Sequence, residues 1–454
     1  MIFCRGDDSS PGTNVHFSAE KFNGKAVIVR VAHNRAMNHR PYDILISLQI
    51  SRKDGINMAF TPKFRMIVMS DIHVKENKDC IELARLCKGL DFAYNYAENS
   101  EYKKIDAFVA VGDFANSGRE QEMLNFKEVL DEKLKPETDV TLFMASHEYH
   151  GEGEDAAKEK LQRIFGMHYF SHKVINGFHL VGASCTNGCH FKEAEQEFVA
   201  SALKEAAADS LEKPVFFFQH PHVTDTVYGS IYWGEDELYE ILSNYPQLIT
   251  FSGHSHCPIN DPRSVHQEYF TSFGTGSLSY FEMDEFGKIG GTIPADKDEC
   301  AQYLIVEADE NNRVRVYPVD ILTENFFREA WKIDVPSDPS TFVYTERRAG
   351  SEKPTHFDDN AFVTAEKTEN GVKVVFSQAK GEERVNDYII RFRNEKGNIA
   401  KQVSVWSHYY LYNMPETVTA EIKDVDAGKY TVEVVARGFW RTVSDNSLKT
   451  EIVI

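Results

Sequence analysis

A chain of 454 residues is too long for one ordinary domain, and its 42% hydrophobic and 12% aromatic content suffices for two or three cores. A formal net charge of −20 and a pI of about 5.3 argue against nucleic acid or an anionic membrane surface as the main partner, because both need a basic footprint. A small anionic substrate stays open, since bound metal ions can invert the local field.

The first residues, MIFCRGDDSSPG, carry acids where a signal peptide needs an apolar core, and no run of about 18 apolar residues exists to span a membrane. The cytoplasm is therefore the expected location, with export from a longer precursor as the alternative. The seven cysteines are scattered and odd in number, which does not describe a disulfide framework, and Cys185-Thr-Asn-Gly-Cys189 does not match a zinc knuckle.

Residues 1–57 read as an N-terminal extension of uncertain structure; Ala26–Val31 and Ile44–Ile50 have strand character, and no function is assigned there. From 58 to 333 the pattern is regular. Apolar runs at Met66–Met69, Ala107–Val111, Val140–Ala145, Val215–Phe218 and Leu248–Phe251 predict buried strands. Helical stretches at Cys80–Ala97, Glu120–Leu134 and Lys192–Ala208 separate several of them, so an α/β core is expected. Gln302–Ala308 and Arg313–Val319 flank Asp309-Glu-Asn-Asn312 and predict a hairpin.

Residues 334–358, rich in Pro, Ser, Thr and charge, predict a connector. In 359–454, Val372–Phe376, Asp387–Phe392, Gln402–Val405, Val418–Ile422, Tyr430–Ala436 and Thr450–Ile454 alternate apolar and polar between Gly, Asn and Asp turns. About seven short strands in about 95 residues predict a β-sandwich.

Five core segments end in residue types that bind metals: Asp71-Ile-His73, Gly112-Asp113, Ser146-His147-Glu148, His220-Pro-His222 and Gly253-His254-Ser-His256. In an open α/β sheet, ligands bind outside the carboxyl ends of the strands. One such ending is most simply a satisfied polar group, but five in succession describe one site. Carboxylates can bridge two ions, imidazoles suit Fe, Mn or Zn, and a pair of such ions can clamp the oxygens of an in-line displacement.

The order Asp71-x-His73, Gly112-Asp113, His147-Glu148, His220, Gly253-His254-x-His256 resembles the calcineurin-like metallophosphoesterases over roughly residues 63–325. The resemblance implies a four-layer α/β/β/α sandwich, followed here by an all-β, immunoglobulin-like sandwich. It implies two divalent or trivalent metal ions, Mn, Fe or Zn. One is held by Asp71, His73, Asp113 and His256, the other by Asp113, His220 and His254. His147 is implied to bind phosphate or protonate the leaving oxygen. Asp71 and His147 are the implied catalytic residues, with a metal-bridging hydroxide as nucleophile. The implied activity is hydrolysis of a small phosphomonoester or phosphodiester. The alternatives are a cyclic nucleotide or other phosphodiesterase, and a degenerate, non-catalytic binding or adhesion protein whose sandwich recruits a protein or glycan.

One position departs from the family. Its third motif usually reads Gly-Asn-His-Glu/Asp, whereas this chain has Ala145-Ser146-His147-Glu148. Ser146 stands where an amide oxygen would bind the second metal, and a neutral hydroxyl is a poor ligand. A water held by Ser146 and a more weakly bound second metal are expected.

Tyr228 and Trp233, on the loop after His220, are candidates for packing on a substrate's leaving group, with loop packing as the plain alternative. The Gly-rich stretch Phe273–Tyr280 reads as scaffold, and His222 and His266 as surface or supporting residues. Asn116 and His150 have no assigned place. Asp236-Glu237 and Arg347-Arg348 read as solvated faces. The stretch Asp426–Ala436, with Tyr430 at its corner, resembles the late strands of fibronectin type III domains.

Overall fold

The structure is a computed structural model that describes residues 18–22, 25–29, 59–186, 189–283 and 294–454. Strands β1 (Ser18–Phe22) and β2 (Lys25–Val29) pair antiparallel. The expected strand at Ala26–Val31 overlaps β2, and the one at Ile44–Ile50 lies outside the described residues. Phe60–Ile454 form a separate compact unit.

That unit begins with β3 (Pro62–Met69), α1 (Ile81–Glu98), β4 (Ala107–Val111), α2 (Glu120–Lys133), β5 (Asp139–Phe143), α3 (Glu154–Phe165), β6 (Phe170–Ile175), β7 (Phe178–Ala183), α4 (Glu193–Asp209) and β8 (Val215–Phe218). There follow β9 (His222–Val223), α5 (Ser230–Trp233), β10 (Gly234–Glu235), α6 (Tyr239–Leu242), β11 (Leu248–Ser252), β12 (Val265–Gln267), β13 (Thr271–Gly274), β14 (Gln302–Asp309), β15 (Val314–Asp320), β16 (Asn325–Phe326) and β17 (Trp331–Ile333). One sheet has the order β16-β15-β14-β3-β4-β5, with β17 also on β15; the other has the order β12-β13-β11-β8-β7-β6.

The near-continuous apolar runs follow from burial on both faces of each sheet. Successive side chains of a strand alternate in direction. Phe64, Met66 and Val68 share one core with Phe178, Phe216, Phe218 and Phe251 of the other sheet. Ile67 and Met69 belong instead to the core with Leu86 and Leu90 of α1 and Phe126 of α2. Val215 and Phe217 pack with Val199, Ala202 and Leu203 of α4. The layers are therefore helix, sheet, sheet, helix. Arg65, the charged residue inside β3, is fully buried and donates from Nε to Glu307 Oε1 on β14 at 2.7 Å.

Strand β5 stops at Phe143, two residues short of the expected end. The next amides turn to side chains: Met144 N–H donates to Ser184 Oγ and Ala145 N–H to Glu148 Oε2, both at 2.8 Å.

The C-terminal strands are β18 (Val363–Thr368), β19 (Gly371–Ser377), β20 (Asp387–Asn394), β21 (Ile399–Trp406), β22 (Thr417–Lys423), β23 (Lys429–Arg437) and β24 (Leu448–Val453). They form a three-stranded sheet, β18-β19-β22, and a four-stranded sheet, β21-β20-β23-β24. Val372, Val374 and Phe376 share a core with Tyr388, Ile390, Val432 and Val434. Strand β18 is absent from the sequence expectation because its two apolar residues, Val363 and Ala365, are only partly buried.

The turn after β21 and the residues after β23 also touch the loops beyond His256. Tyr409 and Tyr410 pack with Phe281, Met283, Cys300 and Phe439. Tyr409 Oη donates to Asp261 Oδ2 at 3.1 Å, and Tyr410 Oη to Asp296 Oδ1 at 2.7 Å. Of the two expected solvated faces, Asp236 and Arg347 are exposed, but Glu237 and Arg348 are not. Arg348 donates to the Pro262 and Val265 carbonyls, each at 2.6 Å, because those loop carbonyls need donors. Glu237 is partly buried and holds His190 Nδ1 at 2.7 Å. Among the described residues no helix is long and apolar enough to cross a membrane, and Cys80, Cys87, Cys189 and Cys300 are free thiols.

Candidate metal centre

The chain leaves the strand ends abruptly. Asp71, His73, Asp113, His254 and His256 all have positive φ, between 50° and 70°. A non-glycine residue held in such a region costs about 1–3 kcal/mol, which the surroundings must offset. Backbone bonds do so here. Asp71 N–H donates to the Gly112 carbonyl at 3.1 Å, His73 N–H to that of Asp113 at 3.0 Å, and Gly253 N–H to that of His220 at 2.9 Å. Ser279 N–H donates to the Asp71 carbonyl at 3.2 Å, so the Gly-rich stretch braces the first motif. The motif glycines permit close approach: a Cβ at Gly112 would fall 2.5 Å from His220 Nδ1, and one at Gly253 would collide with the Asp71 carboxylate.

Ligand atoms of Asp71, His73 and His256 lie within 4.8 Å of one another; so do those of Asp113, His220 and His254, and those of His73, Asp113 and His147. Asp71 Oδ1 is 3.0 Å from His256 Nε2 and 3.8 Å from His220 Nε2. Asp113 Oδ2 is 3.1 Å from His220 Nε2.

The donor set fits cations. His220 Nδ1 lies 2.8 Å from the Val111 carbonyl and His256 Nδ1 2.9 Å from that of Tyr280, so in both rings Nδ1 donates. Their Nε2 atoms then aim lone pairs at carboxylates. Buried His220 Nε2 makes no well-formed hydrogen bond. Such an arrangement needs a positive charge between the facing groups, either a proton or a metal. Burial lowers both imidazoles, but the carboxylates outweigh it: Asp113 and Asp71 push His220 up to about 10, and Asp71 raises His256. Burial and His256 push His73 down to about 3, while burial and His220 push His254 down to about 4. These two rings are therefore neutral lone-pair donors at pH 7. Metal ions can take the place of the protons on the others.

Glu148 is buried and has a role that its place in the motif does not disclose. It accepts the N–H groups of Asp113 at 3.0 Å, Ala115 at 2.8 Å and Ala145 at 2.8 Å. Burial and the Asp113 charge push its carboxyl up to about 8, against the pull of the Ala115 and Ala145 amides. His147 follows on the same turn. Its Nδ1 is 2.6 Å from the Asn116 carbonyl, which gives Asn116 its place, and its Nε2 is 4.0 Å from Asp113 Oδ2. The side chain is 29% exposed, open enough to meet a substrate. His150 lies beside it, with ring centroids 4.6 Å apart and the rings tilted by 44°.

Ser146 Oγ donates to Asp113 Oδ2 at 3.3 Å, so the departing residue does border the cluster. Ser146→Asn is expected to tighten metal binding by about tenfold or more, because an amide oxygen is a better ligand than a neutral hydroxyl. Metal titration of the two proteins checks this, and equal affinities would remove the proposed deficit.

Of the two candidate aromatics, Trp233 stands edge-on to His254, with centroids 5.0 Å apart. Tyr228 lies instead beneath the Arg263 guanidinium, 4.1 Å from its ring centroid. His222 is buried between Ser252 Oγ and Ser255 Oγ, each at 2.7 Å, and supports the loop that carries His254. His266 is buried as well. Sequence reasoning missed Cys189, whose Sγ is 3.0 Å from His254 Nε2. No spacing could have revealed a contact made across 65 positions.

Residues 64–258 match the family model described as calcineurin-like phosphoesterase. This segment is a calcineurin-like phosphoesterase domain. No curated protein matches the chain. Among solved structures, purple acid phosphatase PPD1 from yellow lupin (Lupinus luteus) seeds is similar at 14% identity and a TM-score of 0.43, over 60% of this chain and 53% of that one. The chain thus spans about half the length of the lupin protein. A hypothetical protein from Thermus thermophilus is similar at 11% identity and a TM-score of 0.32, over 57% of this chain and 99% of that one. A novel phosphatase from Mycoplasma pneumoniae is similar at 12% identity and a TM-score of 0.27, over 62% and 97%. The phosphoesterase domain and its histidine and aspartate clusters point to metal-dependent phosphoester hydrolysis.

Proposed function

We propose that this protein hydrolyses a small phosphomonoester or phosphodiester at a dinuclear metal centre. Asp71, His73, Asp113 and His256 would hold one ion, and Asp113, His220 and His254 the other, with Mn, Fe or Zn suited to the donors. The convergence of buried imidazole lone pairs on two buried carboxylates carries this reading. Such ions supply Lewis acidity and make water acidic enough to attack at neutral pH.

The phosphoesterase domain's own side chains do the rest. His147, fixed through Nδ1 on Asn116, presents Nε2 to a phosphoryl oxygen or donates a proton to the leaving oxygen. Trp233, against His254, offers a flat wall for the leaving group. We assign the phosphoesterase unit to 58–333, a packed connector to 334–358 and a fibronectin type III-like sandwich to 359–454. Two facing antiparallel sheets of three and four strands support the last assignment.

His147→Ala is expected to lower turnover by about 10²–10⁴-fold, the range of a lost general acid, with metal content unchanged. The loss is expected to be greatest for esters with poor leaving groups; a loss independent of the leaving group assigns His147 to phosphate binding alone. The reading itself is tested with chromogenic phosphomonoesters and diesters in added manganese. Turnover with two bound ions supports it. No turnover of either ester, together with one bound ion or none, overturns it.

A further inference from the structure

Cys189 belongs to none of the motifs, yet its Sγ lies 3.0 Å from His254 Nε2. Thr186 and His190, on either side of it in the chain, are tied together. Thr186 N–H donates to the His190 carbonyl at 2.6 Å, and His190 N–H to that of Thr186 at 3.1 Å. His190 is in turn held by Glu237 at 2.7 Å. The next residue after the thiol, His190, is therefore fixed on both its backbone and its side chain, and Trp233 also packs edge-on to the His254 ring. An independent observation marks the same place as a ligand site. His220 Nε2, fully buried and without a well-formed hydrogen bond, is aimed at Asp113 in the cluster that includes His254.

A histidine that ligates through one ring nitrogen normally donates the other N–H to an acceptor, which fixes both tautomer and ring orientation. His220 and His256 use the Val111 and Tyr280 carbonyls for this purpose, through Nδ1. At His254 the nitrogen engaged is Nε2, and its partner is sulfur. We propose that Cys189 is a positioning residue for the second metal. Its sulfur accepts the Nε2–H of His254 and leaves the Nδ1 lone pair for the ion. In a site where Ser146 replaces an amide ligand, a correctly oriented His254 carries a larger share of the binding. The inference rests on the dinuclear reading proposed above.

The test compares the full chain with Cys189→Ala and Cys189→Ser, titrated with manganese and counted for bound ions. Wild-type protein is expected to bind two ions. Cys189→Ala is expected to weaken the second site by about tenfold or more and leave the first unchanged, as loss of an orienting partner does. Cys189→Ser, whose hydroxyl can still accept from Nε2–H, is expected to recover part of the loss. Long-range ¹H–¹⁵N correlation of the His254 ring supplies a readout that a merely structural role would not move. It is expected to show the Nε2–H tautomer in wild type and a mixture in the alanine variant. If the alanine variant does not fold, the serine variant and the wild-type tautomer decide. A second site as tight in Cys189→Ala as in wild type, or an Nδ1–H tautomer in wild type, overturns the inference. Fewer than two ions in wild-type protein overturns the dinuclear reading itself.

Discussion

Asp113→Asn is expected to lower kcat/KM for a phosphoester by about 10³-fold or more, equivalent to about 4 kcal/mol of barrier. Asp113 joins several parts of the site. Its Oδ1 accepts the His147 amide at 3.0 Å, and its Oδ2 faces His220 Nε2 at 3.1 Å and accepts the Ser146 hydroxyl at 3.3 Å. It belongs to two of the three ligand groups. Asparagine keeps the shape and one acceptor oxygen but loses the charge that holds a cation between the carboxylate and the imidazoles. Metal content is therefore expected to fall along with turnover, whereas His147→Ala spares it. The metal-free variant is not expected to lose comparable stability, because one buried anion near Asp71 and Glu148 has been removed. Steady-state kinetics with metal analysis check the result; a fall below tenfold with two ions still bound would show that Asp113 is not shared.

The site was more legible than the structure that supports it. A carboxylate or imidazole at a strand end is a short, local signal, and Asp71, His73, Asp113, His220, His254 and His256 do converge. The apolar runs were legible for a related reason. A strand buried on both faces, such as Ala107–Val111, reads as continuous hydrophobicity. Strand β18 failed that test because it covers the sandwich with only Val363 and Ala365. What could not be read was every contact set by tertiary approach. The serine pair around His222, the Arg348 clamp on Pro262 and Val265, and the thiol at His254 join residues with no local pattern between them. Tyr228 and Trp233 show the same limit. They sit five positions apart, yet one lies under Arg263 and the other against His254.

The bracing of the His256 side follows from such long-range contacts. Phe281, one residue beyond the carbonyl that orients His256, is buried with Tyr409 and Tyr410, and Asp261 receives the Tyr409 hydroxyl. The turn that joins two of the C-terminal strands is thus continuous with the scaffold of the metal centre. Positive φ at both histidines of Gly253-His254-Ser-His256 makes that support physically necessary, since strained backbone persists only where its surroundings hold it.

Glu148→Ala is expected to lower the unfolding free energy of the metal-free protein by about 3–9 kcal/mol. The reasoning is a count of orphaned donors. The carboxylate serves the N–H groups of Asp113, Ala115 and Ala145, and alanine leaves all three in a buried space. Each unsatisfied buried donor costs about 1–3 kcal/mol, against a typical domain stability of about 5–15 kcal/mol. Glu148→Gln separates this cause from charge. Its amide oxygen can still accept from one side, but its NH₂ group presents donors to the remaining N–H groups, so only partial recovery is expected. Working without metal matters, because a bound ion stabilises the folded state by mass action and would confuse lost ligands with lost hydrogen bonds. Urea unfolding gives the comparison. A loss below about 1 kcal/mol would mean that water satisfies the three amides, and that Glu148 is not what holds the ends of β4 and β5 in register at the metal centre.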